Sequence, residues 1–207
     1  LFRSEQDQFA LASHLKAVEA LKAGRLASET LTLYPPPSSD PIAQDIGPRE
    51  SQSMSALGKL TPYFDRKWGT VTVGNSCGVT DGAAALLLMD RDYAASLGLS
   101  PIGRFRATEF SGCDPARMGL GPVYSTAKAF EVAGVTMDDM DLVELNEAFA
   151  AQVLACQRGF ENPPDDCSNC NATSRLRRIP EEKLNVNGGA IALGHPVGAT
   201  GTRSEEH

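Results

Sequence analysis

Asn185-Val186-Asn187-Gly188-Gly189-Ala190-Ile191-Ala192-Leu193-Gly194-His195-Pro196-Val197-Gly198-Ala199-Thr200-Gly201 is the stretch on which the reading of this chain turns. Five of its residues are glycine and one is proline, and His195 stands between Gly194 and Pro196. Glycine permits backbone conformations that a side chain forbids, and it lets the chain come close to a ligand. An imidazole fixed in such a loop suits proton transfer near neutral pH. Taken alone, His195 also fits a packed or surface loop histidine.

Outward from this loop the chain alternates strands with helices. Residues 184–187 read as a strand entering the loop, and 141–145 as a strand feeding a helix from 147 to about 158. Asn146-Glu147-Ala148-Phe149-Ala150 lies at that junction. Polar groups at strand ends commonly line a site in α/β folds, and Asn146 alone equally suits a helix N-cap. Residues 125–133 predict a helix stopped by Gly134, and 102–110 a strand. Asp90 predicts the cap of a helix ending at Gly98. Residues 83–89 read as a buried strand, with a helix as the alternative that periodicity leaves open, and 70–73 as a short strand. At the start, Ser4-Glu5-Gln6-Asp7 resembles a capping box, and Phe9, Leu11, Leu15, Val18 and Leu21 form an apolar stripe ending near Gly24. Residues 28–69, with Pro35-Pro36-Pro37, read as an irregular excursion, and 161–182 as a polar inserted loop. The alternation implies layered α/β architecture.

Composition narrows the classes. The chain has 207 residues, enough for one domain or parts of two. At 42% hydrophobic it can bury a core, and no apolar run approaches the roughly 20 residues of a membrane span. A net charge of -7 disfavours nonspecific nucleic-acid binding, while backbone N–H groups and a few cations still allow an anionic ligand. No signal peptide is expected, and a first residue other than Met suggests sequence upstream. The five cysteines are odd in number and scattered, against a secreted disulfide framework. Cys167-Ser168-Asn169-Cys170 has metal-type spacing, but zinc takes four ligands and no second pair is present. It reads as an incidental pair in a polar surface loop.

The residues resemble the thiolases, which make or cleave 3-oxoacyl-CoA thioesters. The likeness runs through Arg3-Ser4-Glu5-Gln6-Asp7-Gln8-Phe9-Ala10, Gly69-Thr70-Val71-Thr72, Gly74-Asn75-Ser76-Cys77-Gly78 and Asp81-Gly82-Ala83-Ala84-Ala85. It continues through Asp114-Pro115, Met118-Gly119, Gly121-Pro122, Asn146-Glu147-Ala148-Phe149 and the glycine loop. The resemblance implies an α/β, thiolase-like layered αβαβα fold present only in part. Residues 1–79 would be the remainder of a CoA-binding loop domain, 80–102 the returning segment of the N-terminal half, and 103–207 a truncated C-terminal half.

The resemblance also assigns roles. His195 matches the catalytic histidine, which activates a cysteine thiol and helps hold the thioester oxyanion. Asn146 matches the residue that positions a water as a second oxyanion donor. Cys77 stands where many relatives carry a serine touching the pantetheine arm, and a thiol is the weaker partner there. Arg49 falls near an adenine-contacting arginine. Met118 and Phe149 match residues lining the acyl and pantetheine pocket, with plain core packing as the alternative. Coenzyme A is implied as cosubstrate, with no permanently bound cofactor and no metal.

Relatives use two cysteines, a nucleophile in the amino-terminal half and a second in a Cys-x-Gly loop near the carboxyl end. Neither segment is found here, and 202–207 is polar where relatives are apolar, so the chain reads as an incomplete enzyme. Relatives are dimers or tetramers, and some degradative ones join a multifunctional β-oxidation subunit. The compartment implied is cytoplasmic, with the mitochondrial matrix as alternative. The rival reading is a noncatalytic thiolase-like protein that binds acyl-CoA or serves as a partner subunit.

Overall fold

The computed structural model describes residues 1–171 and 175–204. The polar end noted at 202–207 therefore lies outside the described residues from 205 onward, as do 172–174 of the insert. Helix α1 (Arg3–Lys22) forms where expected, but its start differs. The Glu5 carboxylate, rather than a Ser4 hydroxyl, closes the first turn by accepting the Phe2 N–H at 2.7 Å. Asp7 is buried and holds the Arg3 guanidinium at 2.7 Å and the Asn75 amide at 2.9 Å.

The buried face of α1 also departs from the expected apolar stripe. Gln6, Asp7, Ala10, Ser13, His14, Ala17 and Ala20 point inward, whereas Leu15 is 49% exposed. Small residues on this face let backbones approach. Gly188 lies so close that a Cβ there would stand 2.6 Å from the Ser13 carbonyl oxygen, and its φ of +80° is one that glycine adopts readily. Ala17 and Ala20 pack with Ala192 and Leu193, while Ala10 packs with Leu57, Ala150 and Ile191.

The excursion at 28–69 holds one short helix, α2 (Met54–Gly58), whose first turn is capped by the Ser53 hydroxyl. Helix α3 (Arg91–Ser96) is capped as expected by Asp90, whose carboxylate accepts the Asp92 and Tyr93 N–H groups. Helix α4 (Gly121–Ala133) ends at Gly134 with φ +67°, and α5 (Ala150–Glu161) starts three residues later than the sequence suggested. Val123, Ala127 and Phe130 of α4 and Val153, Cys156 and Phe160 of α5 form the largest core cluster with Leu145, Ile179 and Leu184. That core includes Cys167 and Cys170, which are disulfide-bonded and 3% and 2% exposed. The reading of these two as an incidental surface pair is thereby corrected.

The expected strands fare differently from the helices. Among the described residues, pairing is confined to three isolated bridges. Segments 141–145 and 184–187 do pair in parallel, at Val143 and Leu184. Residues 70–73 instead enter a turn held by the Asn75 side chain, whose Oδ1 accepts the Thr72 N–H at 2.8 Å. Residues 83–89 and 102–110 are neither helix nor strand, and Leu87 and Phe110 are 82% and 83% exposed. Alternating, β-branched sequence suits a ladder, but a ladder also needs partner backbone groups. No helix among the described residues is long and apolar enough to cross a membrane.

Candidate functional site

The site is built where the two bridged segments run out. Val143 N–H donates to Lys183 O at 2.9 Å and Asn185 N–H to Val143 O at 3.0 Å. Asn185 then turns away with φ +44°, and its side chain takes over the ladder. Its Oδ1 accepts the Leu145 N–H at 2.8 Å and its Nδ2 donates to Leu145 O at 2.9 Å. The side-chain amide thus stands in for the next peptide group and fixes the approach to Asn146.

Glu147 follows, 1% exposed. Its carboxylate accepts from Ser13 Oγ at 2.6 Å, Asn185 Nδ2 at 2.8 Å and Ile191 N–H at 3.2 Å. Burial pushes its pKa up, and these three donors oppose the shift. The carboxylate therefore ties α1 to the glycine loop and to the start of α6 (Ala190–Leu193). Gly194 follows α6 with φ +91° and delivers His195.

The backbone N–H and both ring nitrogens of His195 have partners. Its backbone N–H donates to Thr80 Oγ1 at 2.9 Å, and its Nδ1 lies 2.7 Å from Thr200 Oγ1, at the start of α7 (Thr200–Arg203). The Thr200 hydroxyl has one proton and donates it to Pro196 O at 3.1 Å. With its proton on Pro196 O the hydroxyl accepts from Nδ1–H, and in that tautomer of the neutral ring the lone pair is on Nε2. Nε2 faces Asn146 Nδ2 at 3.5 Å, a donor set opposite that lone pair. Asn146 Oδ1 is buried with no hydrogen-bond partner among the described residues, leaving an acceptor beside the imidazole. Close packing holds the loop: a Cβ at Gly82 would stand 2.5 Å from Pro196, and one at Gly194 2.6 Å from Thr80.

The other sequence candidates scatter around this centre. Cys77 N–H donates to Ala148 O at 3.0 Å, which places Cys77 and Phe149 together at the mouth of α5. The Cys77 thiol is half-buried, and burial raises its pKa. Phe149 meets Phe64 edge-on at 6.0 Å, and Phe64 meets Tyr63 at 5.2 Å. Tyr63 borders a groove of about 410 Å³ with Leu60, Thr61, Pro62, Arg66 and Val73. This larger groove does not include His195 or Asn146. Arg49 is exposed, and its N–H donates to His14 Nδ1 at 3.3 Å. Met118 is 77% exposed in the 3-10 turn Pro115–Leu120, which excludes core packing for it. No described contact joins Met118 to His195.

Four residues at the site escaped the sequence reading. Thr200 lies inside the glycine-rich stretch, five residues after His195, where a hydroxyl one helical turn away could have signalled it. Glu147 follows Asn146 directly. Thr80 carried no signal, since it meets His195 across 115 residues. Glu144 shares a small pocket with Asn146, Thr200 and Arg203, and its pKa is pushed up to about 7 by burial and by the Glu147 charge. Among the described residues no group of three or more His, Cys, Asp and Glu side chains is arranged to hold a metal.

Comparison with known proteins bears on the chain as a whole. Residues 1–92 match the thiolase N-terminal domain family and residues 99–207 the thiolase C-terminal domain family. The chain is 43% identical over 202 residues to the 3-ketoacyl-CoA thiolase of Yersinia enterocolitica, covering 97% of this chain and 46% of that protein. It is 45% identical over 204 residues to the acetyl-CoA acetyltransferase of Chromobacterium violaceum, covering 97% and 47%. Among solved structures, the dimeric peroxisomal thiolase of Saccharomyces cerevisiae superposes with a TM-score of 0.86 at 37% identity, over 99% of this chain and 48% of that one. The Bacillus anthracis acetyl-CoA acetyltransferase gives 0.85 at 35% identity, over 99% and 48%. The chain thus spans about half the length of the curated relatives it matches.

Proposed function

The chain belongs to the thiolase family, and from this premise we propose that it carries the His195–Asn146 side of an acyl-CoA C-acyltransferase site acting on 3-oxoacyl-CoA thioesters in fatty-acid metabolism. The observation that carries the reading is the direction of the imidazole. Thr200 holds the Nδ1 proton, so Nε2 presents its lone pair beside Asn146.

The chemistry follows from that geometry. Among the described residues His195 bonds to Thr80, Thr200 and Asn146, and to no cysteine. The nucleophilic thiol is proposed to come from sequence outside residues 1–207. Nε2 takes the thiol proton, since the thiolate is the reactive form. The thiolate attacks the 3-oxo carbon, an S–C bond forms, and the C2–C3 bond breaks. Its electron pair becomes the enolate of acetyl-CoA, which takes a proton at C2 from the second cysteine that the resemblance implies. The thiol of a second CoA then gives its proton to that second cysteine's thiolate, and its sulfur attacks the acyl carbon. The nucleophilic cysteine leaves as thiolate and recovers its proton from Nε2. The protonated Nε2 donates to the thioester oxygen as negative charge develops there. Asn146 Oδ1 holds a water whose other proton points at the same oxygen. The reverse sequence is a Claisen condensation. The overall reaction involves no net oxidation or reduction, so CoA enters as cosubstrate and no redox group is implied.

On this reading Arg49, Cys77 and Phe149 contact CoA, and Met118 meets the acyl or pantetheine arm from its exposed turn. Residues 1–79, 80–102 and 103–207 are proposed as parts of the loop domain, N-terminal half and C-terminal half of a layered αβαβα enzyme. Exposed Leu87 and Phe110 support a dimeric or tetrameric complete protein in which such residues are covered. We place that protein in the cytoplasm.

Two measurements test the reading. Calorimetric titration of the 207-residue chain with CoA should show saturable binding. Thiolysis of a 3-oxoacyl-CoA by the complete gene product should fall roughly 10²–10⁴-fold in His195→Ala and roughly 10²–10³-fold in Asn146→Ala. Thiolysis unaffected by His195→Ala would overturn the assignment.

A further inference from the structure

One buried titratable side chain has no part in the acyl-transfer chemistry. His14 is 4% exposed on the inner face of α1, directly after Ser13. The two neighbours grip different loops. Ser13 Oγ donates to Glu147 and accepts the Gly189 N–H at 3.1 Å, which is the His195 side. His14 Nδ1 accepts the Arg49 N–H at 3.3 Å. One turn of α1 therefore docks both the glycine loop and the segment that carries Arg49.

The segment around Arg49 is pinned on both flanks. At Gly47 a Cβ would stand 2.2 Å from Ala192 O, so the backbone lies directly against α6. The Glu50 carboxylate pairs with Lys22 of α1, but both side chains are well exposed, and such pairs contribute little. The His14 bond is the buried one, so it sets the Arg49 peptide. The Arg49 guanidinium makes no hydrogen bond or ion pair among the described residues, and it is exposed.

We propose that His14 is a positioning residue for CoA capture: its neutral imidazole clamps the Arg49 peptide to α1, so that the guanidinium meets the adenine end of CoA from a fixed backbone. This rests on the reading of Arg49 as a CoA contact. A guanidinium held in place loses less freedom on stacking against an aromatic base than one on a loose loop. Only the neutral ring can accept from Arg49 N–H, because a protonated imidazole carries protons on both nitrogens. Burial first, and then the Arg49 charge, lower the His14 pKa from its ordinary 6.5, which keeps the acceptor available at neutral pH. Arg49 is the charged group that acts on this ring.

The test reads the clamp and the binding separately on the 207-residue chain. Amide hydrogen exchange at Arg49, followed by NMR, reports the clamp, and calorimetry with CoA reports binding. In His14→Phe the Arg49 amide should exchange at least roughly 10-fold faster and CoA affinity should fall roughly 3–10-fold, with α4 and α5 protection unchanged. His14→Gln, which keeps an acceptor, should recover most of both. Unchanged Arg49 exchange in His14→Phe overturns the clamp. Faster exchange with unchanged CoA affinity, while Arg49→Gln weakens binding, overturns its purpose. Unchanged affinity in Arg49→Gln instead overturns the CoA reading of Arg49 and the role given to His14 with it, whatever the exchange data report. Should His14→Phe fail to fold, wild type suffices: Arg49 protection should be lost as the pH falls through the lowered His14 pKa, and His14→Gln should not show that loss. Protection insensitive to pH in wild type overturns the proposal.

Discussion

Gly189 packs so tightly on Glu147 that a Cβ at position 189 would stand 2.2 Å from the carboxyl carbon. The carboxylate needs that closeness. It is buried, and it is satisfied by Ser13, Asn185 and the Ile191 N–H, the last of which lies just beyond the glycine. A buried anion without donors is costly, so the loop wraps around Glu147 and carries His195 with it. His195 is thus held in place by a residue adjacent to its neighbour Asn146.

Gly189→Ala should destabilise the fold by overlap alone, because the φ of -139° at this residue is open to alanine. Overpacking of this kind costs roughly 1–3 kcal/mol, and here the neighbour is a fixed carboxylate. Urea denaturation of the variant should show that loss at an unchanged m-value. A midpoint equal to wild type would mean the loop can retreat from Glu147.

Glu144 makes the stability depend on pH in a specified direction. Its folded pKa is about 7 against an ordinary 4.5, raised by burial and then by Glu147. A raised carboxyl binds its proton more tightly in the folded state. Its contribution is therefore present in full below about pH 4.5 and lost as the pH rises through about 7. Glu144→Gln should match wild type near the acid end and exceed it in stability at pH 8. Parallel unfolding curves at the two pH values check this, and an equal gap at both would exclude Glu144 as the source.

How much of this was legible in the sequence depended on how local each cause is. Asp90 and Gly134 announced the ends of α3 and α4, because caps are decided by one side chain or one backbone conformation. Asn146 and His195 were found through their flanking residues. The inner face of α1 was not, because Ser13 and His14 are buried by specific partners and Leu15 is left out for want of one. Segments 83–89 and 102–110 carry strand-like patterns, but pairing is a property of two segments rather than one. Thr80 and the Cys167–Cys170 pairing depend on three-dimensional neighbours, which spacing does not reveal.

The Cys167–Cys170 disulfide should stabilise a core rather than a surface loop. It packs with Val123, Tyr124 and Phe130 of α4, while Tyr124 donates to Asp166 at 2.7 Å. Closing so short a loop contributes roughly 2 kcal/mol by chain entropy. Reduction with a dithiol should lower the denaturation midpoint accordingly, and a double Cys→Ala variant should be insensitive to reductant. A wild-type midpoint that ignores the dithiol would show that the bridge adds nothing to the native state.

Thr200 decides which nitrogen of His195 can act as a base. Its hydroxyl gives its single proton to Pro196 O and takes the Nδ1 proton of the ring. Thr200→Val removes the acceptor while keeping the shape, and Nδ1–H loses its partner. The ring is then free to place its proton on Nε2, where it blocks the lone pair that faces Asn146. Nitrogen-15 spectra of the imidazole should report an unprotonated Nε2 in neutral wild type, a mixture of tautomers in Thr200→Val, and recovery in Thr200→Ser. In the complete gene product the same series should lower kcat for thiolysis more than it alters KM, because the tautomer governs proton transfer rather than CoA binding. If Thr200→Val keeps the wild-type nitrogen shifts, the hydroxyl does not set the tautomer, and the direction assigned to Nε2 fails with it.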